Sequence, residues 1–264
     1  HNGVPRKHLK AVWIKPKHKE PDFSVPKNIL AELKNLLSSL NICSKEYIIR
    51  QYDHEVKGGT IIKPMCGVKN DGPSDAGVFV PKLDSYEGLI VSNGICPKYS
   101  DIDAYHMACC AYDEMVRQII ATGGKLPDMN SPKDDMWSVN DNFCTPDSVY
   151  SESNPDGKWK MAQVVRANKA LYDCVNVYNI PMTSGKDSMK NDFKYVIDGK
   201  QLRISIPLTL LFSGVAKIKD IRKCVTIDFK KAGDIVYILG ITRNELGASE
   251  YFKLHGFIGN NVPK

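Results

Sequence analysis

Apolar residues recur at helical spacing in three stretches of this chain. In residues 27–40 they are Ile29, Leu30, Leu33, Leu36, Leu37 and Leu40, and Asn41 ends the pattern. Residues 102–121 carry the strongest stripe: Ala108, Ala111, Tyr112, Met115, Ile119 and Ile120. Asp101 and Asp103 stand near its start, where acidic residues suit the helix macrodipole, and Gly123-Gly124 ends it. Over residues 159–178 the pattern turns Met161, Val164, Val165, Leu171 and Val175 inward. A shorter helix is predicted over 44–51, with Ser44 as its cap.

Short runs rich in Val, Ile and Phe predict strands. They fall at 60–62, 78–80, 89–91, 136–139 (running into Asn140-Asp141-Asn142), 180–183 and 204–216, with Pro207 marking a break. Two further runs, 225–229 and 234–239, predict strands that open a new unit, followed by a helix over 244–254. Polar loops are expected at 67–77 and 146–157. Residues 1–26, with Pro5, Pro16, Pro21, Pro26 and many lysines, predict an extended linker. The alternation of strands and helices defines an α/β (α+β) class. Its predicted organisation is a basic linker and leading helix (1–45), an α/β domain (46–220), and the beginning of a second domain (221–264). That last unit has too few elements to bury a core alone, so the chain is expected to be part of something larger.

Composition narrows the function classes. The chain is 42% hydrophobic and 25% charged, ordinary for a soluble globular protein, and no apolar run approaches a membrane span. Cytoplasmic residence is the default expectation. The net charge of +6 is dispersed except in residues 6–19, a solvated linker or an arm that attracts anionic nucleotides and sugar phosphates. Basic and aromatic positions do not interleave, which argues against nucleic-acid binding. The eight cysteines (Cys43, Cys66, Cys96, Cys109, Cys110, Cys144, Cys174 and Cys224) form no CxxC pair or zinc spacing and are expected reduced and mostly buried.

Several polar positions could carry chemistry. Asp75 lies in a Gly/Pro-rich loop entering a strand, where backbone N–H groups and a carboxylate together suit a metal-bound phosphate; a turn aspartate is the alternative. Glu114 and Gln118 share a helix face four residues apart and offer oxygens to a hard cation, or simply solvate that flank. Ser184-Gly185-Lys186-Asp187-Ser188 reads as a loop after a short strand, with a phosphate loop's composition but not its spacing. Asp141-Asn142 follows a predicted strand and is either a ligand cluster or an Asx turn. In Tyr52-Asp53-His54-Glu55 the histidine is read as structural rather than as a general base. Cys144 has no matched base.

Taken together, several segments resemble one family. RQYDHEVKGGTIIKP (50–64), NDGPSDAGVF (70–79), SNGICPKYSDIDAYHMA (92–108), DEMVRQIIATGG (113–124), DNFC (141–144), SGKDSM (184–189) and VTIDFKKAGDIVYILG (225–240) occur in the order found in the second half of phosphoribosylformylglycinamidine synthase. The resemblance covers residues 41–252. It implies an aminoimidazole-ribonucleotide-synthase-like fold, shared with selenophosphate synthetase and thiamine-monophosphate kinase: an N-terminal domain with a mixed sheet and long helices, then the start of a C-terminal domain. It implies an ATP-dependent ligase that activates the amide oxygen of formylglycinamide ribonucleotide for displacement by glutamine-derived ammonia. The cofactors implied are ATP and Mg2+. By match to the family motifs, Ser74 and Asp75 contact nucleotide, Asp75 and Glu114 bind magnesium, and Gln118 stands where the family has an asparagine ligand. Lys186 and Asp187 match a family loop. Thr145-Pro146 departs from the family pattern. The remaining synthase domains and a glutaminase domain or subunit are the implied partners. This portion alone is expected to be inactive, to self-associate as a homodimer, and to supply ligands to a site completed elsewhere. A non-catalytic scaffold, or a half that holds a structural nucleotide, is the rival reading.

Overall fold

The computed structural model describes residues 3–51, 55–128, 130 and 136–264. The Tyr52-Asp53-His54 reading lies outside the described residues. In chain order the strands are β1 Thr60–Ile62, β2 Met65–Cys66, β3 Gly72–Pro73, β4 Gly77–Phe79, β5 Gly88–Ile95, β6 Trp137–Cys144, β7 Met182–Ser188, β8 Asp192–Ile197, β9 Lys200–Ser205 and β10 Thr209–Ile218. The α-helices are α1 Ile29–Ser38, α2 Glu46–Ile49, α3 Ala104–Ala121, α4 Gly157–Tyr178 and α5 Glu250–Leu254. Among the described residues, no helix is long and apolar enough to cross a membrane.

A six-stranded mixed sheet runs β1-β4-β5-β10-β6-β7, antiparallel throughout except for the parallel β6–β7 pair. Helices α3 and α4 pack together, and α3 lies across β5 and β10. The buried sheet face carries Ile90, Ser92 and Gly94 on β5 and Leu210, Phe212 and Ala216 on β10. Against them stand Met107, Ala108, Ala111, Tyr112, Met115 and Ile119 of α3. Gly94 and Gly214 allow this approach: a Cβ on Gly94 would collide with the Ala111 carbonyl oxygen. Asp103 caps α3 by accepting from the Tyr105 N–H at 2.9 Å. Buried Gln163 of α4 reinforces that end, accepting from the Ala104 N–H and donating to the Ser100 carbonyl.

Some expectations are corrected. Ile120 is exposed, and Val116 is buried instead. On α4, Val164, Leu171 and Val175 pack half-buried against the core as expected, but Val165 is exposed, and the fully buried positions are small ones, Ala162, Ala167, Ala170 and Cys174. Small residues let two helix backbones approach closely, which a hydrophobicity ranking does not register. The SGKDS segment is not a loop but strand β7. After it comes a hairpin, β8–β9, that the hydrophobic pattern did not predict. Its two-residue turn is Asp198-Gly199, both at positive φ, the geometry that matches strand twist.

The segments 225–229 and 234–239 form no strands. Strands need a partner edge, and among the described residues neither run is paired; Ile235, Val236, Tyr237, Ile238 and Leu239 stay exposed. The helix expected over 244–254 shrinks to α5. Ala248 adopts φ 58°, and the Gly247 and Ala248 N–H groups bond the Asn261 and Ile258 carbonyls instead of continuing a helix.

The N-terminal segment is extended, as its prolines imply, but it is a docked strap rather than a solvated linker. Val12 N–H donates to the Lys158 carbonyl, and the Trp159 indole donates to the Ile14 carbonyl. Trp13 lies between Trp159 (centroids 6.4 Å) and the Arg166 guanidinium (4.3 Å). Asn260 clasps both backbone groups of His18, and Phe23 joins an aromatic group with Tyr251, Phe252 and Phe257. The eight cysteines are free; Cys66 and Cys174 are buried and the other six are half-buried, fewer buried than expected.

Candidate functional site

The site grows from a length mismatch between two strands. β5 runs to Ile95, but β4 pairs with it only as far as Gly77 opposite Val91. Beyond that point, among the described residues, the outer backbone groups of β5 have no strand partner, and α3 side chains supply one. Gln118 Oε1 accepts from the Asn93 N–H at 3.3 Å, and Glu114 Oε2 accepts from the Ile95 N–H at 2.8 Å. The i, i+4 spacing of Glu114 and Gln118 matches the two-residue step along the strand edge. Continuing the β4–β5 register by two residues brings Asp75 level with Asn93.

Asp75, Glu114 and Gln118 therefore line one cavity of about 420 Å³, together with Cys96, Asp113 and Arg117. Asp75 and Gln118 also line a larger adjoining cavity of about 1390 Å³, to which Ser74, Asn93 and Lys57 contribute. Among the described residues, the Asp75 carboxylate makes no hydrogen bond or ion pair. Cys96 Sγ lies 3.8 Å from Glu114 Oε2. Burial, and then the neighbouring Glu114 carboxylate, push the Cys96 thiol up to about 12; burial, then Cys109, push Cys110 equally far. Both shifts favour the neutral thiol, so neither sulfur is an activated nucleophile.

The donor set fits a hard cation, with limits. Two carboxylates and one amide oxygen are the ligand types magnesium takes. Among the described residues, no three Asp, Glu, His or Cys side chains form a ready metal cage. A cation here would need oxygens from its ligand as well. Gln118 has already committed a lone pair to Asn93, so it would be the weaker donor to a cation, whereas Glu114 keeps Oε1 uncommitted in the hydrogen-bond pattern.

Lys186 and Asp187 are not part of this cavity. They sit on edge strand β7, four strand spacings from β4, roughly 19 Å at about 4.8 Å per spacing. Lys186 Nζ bonds Ser188 Oγ. Asp187 lies near enough to Asp141 for its charge to matter: the Asp141 carboxyl is raised by its burial and then by Asp187. Gly185 makes room for that carboxylate, since a Cβ there would strike Asp141 Oδ1. Asn93 and Arg117 were not singled out from sequence. The signal for Arg117 was its position between Glu114 and Gln118 on one helix face.

The architecture defines the class: a mixed-sheet α/β domain backed by two long helices, with an acidic, oxygen-lined cleft where β4 ends short of β5. No family model matches the chain. Curated relatives do match it, among them several named phosphoribosylformylglycinamidine synthase subunit PurL. That of Picrophilus torridus is 31% identical over 237 residues, covering 88% of this chain and 28% of the relative. That of Methanocaldococcus jannaschii is 32% identical over 254 residues, covering 94% and 31%. That of Methanothrix thermoacetophila is 30% identical over 279 residues, covering 99% and 32%. The chain is thus a PurL-like region, spanning less than a third of the length of these relatives. Among solved structures, Thermotoga maritima PurL complexed with ADP matches with a TM-score of 0.46 and 20% identity, over 81% of this chain and 28% of that one. AaThiL complexed with AMPPCP and TMP matches at 0.39 and 13%, over 61% and 40%.

Proposed function

We propose that this region supplies one wall of a magnesium–nucleotide site in a PurL-type ligase of purine biosynthesis. The parent enzyme would use ATP to phosphorylate the amide oxygen of formylglycinamide ribonucleotide, and glutamine-derived ammonia would then displace phosphate. The observation carrying this reading is the convergence of Asp75, Glu114 and Gln118 on one cavity. They are drawn there from two separate segments by the short β4. Relatives over most of the chain are named for this synthase, and one solved PurL is complexed with ADP.

Asp75 and Glu114 would hold the cation, Gln118 would contribute its amide oxygen, and Ser74 would contact the nucleotide in the larger cavity. When bound, magnesium offsets charge between phosphates and stabilises the leaving group. The fold's part is to orient Glu114: its carboxylate is held against the Ile95 N–H, and swinging away would give up that charge-assisted bond for one to water. Lys186 and Asp187 lie too far to act on the same phosphates, so any role for them belongs to another surface.

Partners follow from the other sheet face. Ile61, Phe79, Val91 and Ile95 are each more than a third exposed there, a surface suited to the remaining synthase domains or, in isolation, to a second copy. That same face supports the scaffold reading, in which this half holds its partner and any nucleotide is structural. Residues 46–220 would form the α/β domain and 221–264 the start of the next one; cytoplasmic residence goes with the pathway.

Titration of the chain with Mn2+·ADP tests the site. Asp75→Asn and Glu114→Gln should each weaken binding at least tenfold. Unchanged binding in both variants would leave the scaffold reading.

A further inference from the structure

Arg117 stands at the mouth of the smaller cavity, one turn beyond Glu114 on α3. Its side chain is 72% exposed, yet it is anchored. Arg117 Nε donates to Asp113 Oδ2, and Asp113 Oδ1 accepts from the Tyr178 hydroxyl at 2.5 Å. Tyr178 in turn stacks on buried Tyr112. Among the described residues, no hydrogen bond engages the two terminal guanidinium nitrogens. A guanidinium held at Nε keeps its terminal donors in one plane, the arrangement that receives two oxygens of a phosphate.

Resting on the nucleotide reading above, we infer that Arg117 is the anion-contacting residue of this cavity and takes oxygens of a nucleoside polyphosphate. The electrostatics select that ligand class. Asp75, Glu114 and Asp113 place three carboxylates beside one guanidinium. A bare phosphate or sugar phosphate meets net repulsion there. A polyphosphate that arrives with a divalent cation satisfies both signs at once: the cation goes to Asp75 and Glu114, and the flanking oxygens go to Arg117. Asp113 and Tyr178 act through Arg117 as positioning residues.

The test uses the whole chain, with calorimetric titration of Mn2+ alone, Mn2+·ADP, Mn2+·tripolyphosphate and ribose 5-phosphate. Arg117→Ala should weaken Mn2+·ADP and Mn2+·tripolyphosphate about 10- to 100-fold, the range of charge-assisted hydrogen bonds. Mn2+ alone should bind as in the parent or tighter, because a positive neighbour is gone. Arg117→Lys should recover part of the loss, and Tyr178→Phe should show a smaller one. Parent-like Mn2+·ADP binding in Arg117→Ala, while Asp75→Asn loses it, would overturn the role of Arg117 and leave the site standing. Arg117-dependent binding of ribose 5-phosphate without metal would overturn the polyphosphate assignment. A parent chain that binds neither Mn2+ nor Mn2+·ADP would remove the nucleotide reading and this inference with it.

Discussion

Gly94→Ala separates the packing that builds the site from the site itself. Gly94 lies on β5 beneath α3, and an added Cβ would fall on the Ala111 carbonyl oxygen, with the Met115 backbone nitrogen 2.9 Å away. Both obstacles are helix backbone, so no rotamer change relieves them. The helix must rise, and Glu114, one residue before Met115, must rise with it. Overpacking of this kind costs about 3 kcal/mol. Lifting Glu114 off the Ile95 N–H removes a charge-assisted bond worth about 1.5–3 kcal/mol more. Gly214→Ala is the matched control, because its Cβ meets side-chain atoms of Met115 and Ile119 rather than helix backbone, and about 1–2 kcal/mol is expected. Urea unfolding of both variants measures the difference, and Mn2+ titration measures the displacement of Glu114. If Gly94→Ala is no less stable than Gly214→Ala and binds Mn2+ like the parent, close approach of α3 is not what sets Glu114.

Three further outcomes follow from the same geometry. Burial works against ionising Asp192, but Arg203 Nε (3.0 Å), the Ser205 hydroxyl and the Asp147 N–H (2.6 Å) outweigh it and hold the carboxyl at about 2. A depressed folded pKa stabilises the fold above the ordinary carboxylate value, so about 2.5 kcal/mol should disappear between about pH 4 and 2; acid titration of stability in Asp192→Asn should lack that step. Gly185→Ala should destabilise by about 1–3 kcal/mol through its collision with Asp141, seen as a lower urea midpoint at unchanged slope. Trp13→Ala should free the strap at about 1–2 kcal/mol, read as faster tryptic cleavage among Lys7, Lys10 and Lys17 while the core keeps its melting temperature.

Much of the frame was legible because local signals agreed with tertiary packing. The α3 stripe, its acidic start and its Gly123 stop all point the same way, and Gly123 does adopt φ 107°. The break at Pro207 separates β9 from β10 as expected. Other elements depend on what lies across from them. The buried face of α4 is set by its fit to α3, which favours Ala167 and Ala170 over Val165. The runs near 225–239 have strand composition but no edge to join among the described residues, and composition alone cannot supply one.

The candidate site divides in the same manner. The i, i+4 pair Glu114 and Gln118 and the loop aspartate Asp75 were readable as separate oxygen donors. Their meeting was not, since it results from β4 stopping two residues short of where β5 continues to need a partner. Lys186 and Asp187 looked equally suited to phosphate by composition. Strand order alone places them at the far edge of the sheet, beyond β5, β10 and β6.

Binding of Mn2+·ADP to the chain and to the Asp75→Asn, Glu114→Gln pair tests the central claim most directly. The parent should bind one equivalent, and each substitution should weaken it at least tenfold without lowering the unfolding midpoint. Equal binding in all three proteins would show that these carboxylates do not hold the nucleotide's cation.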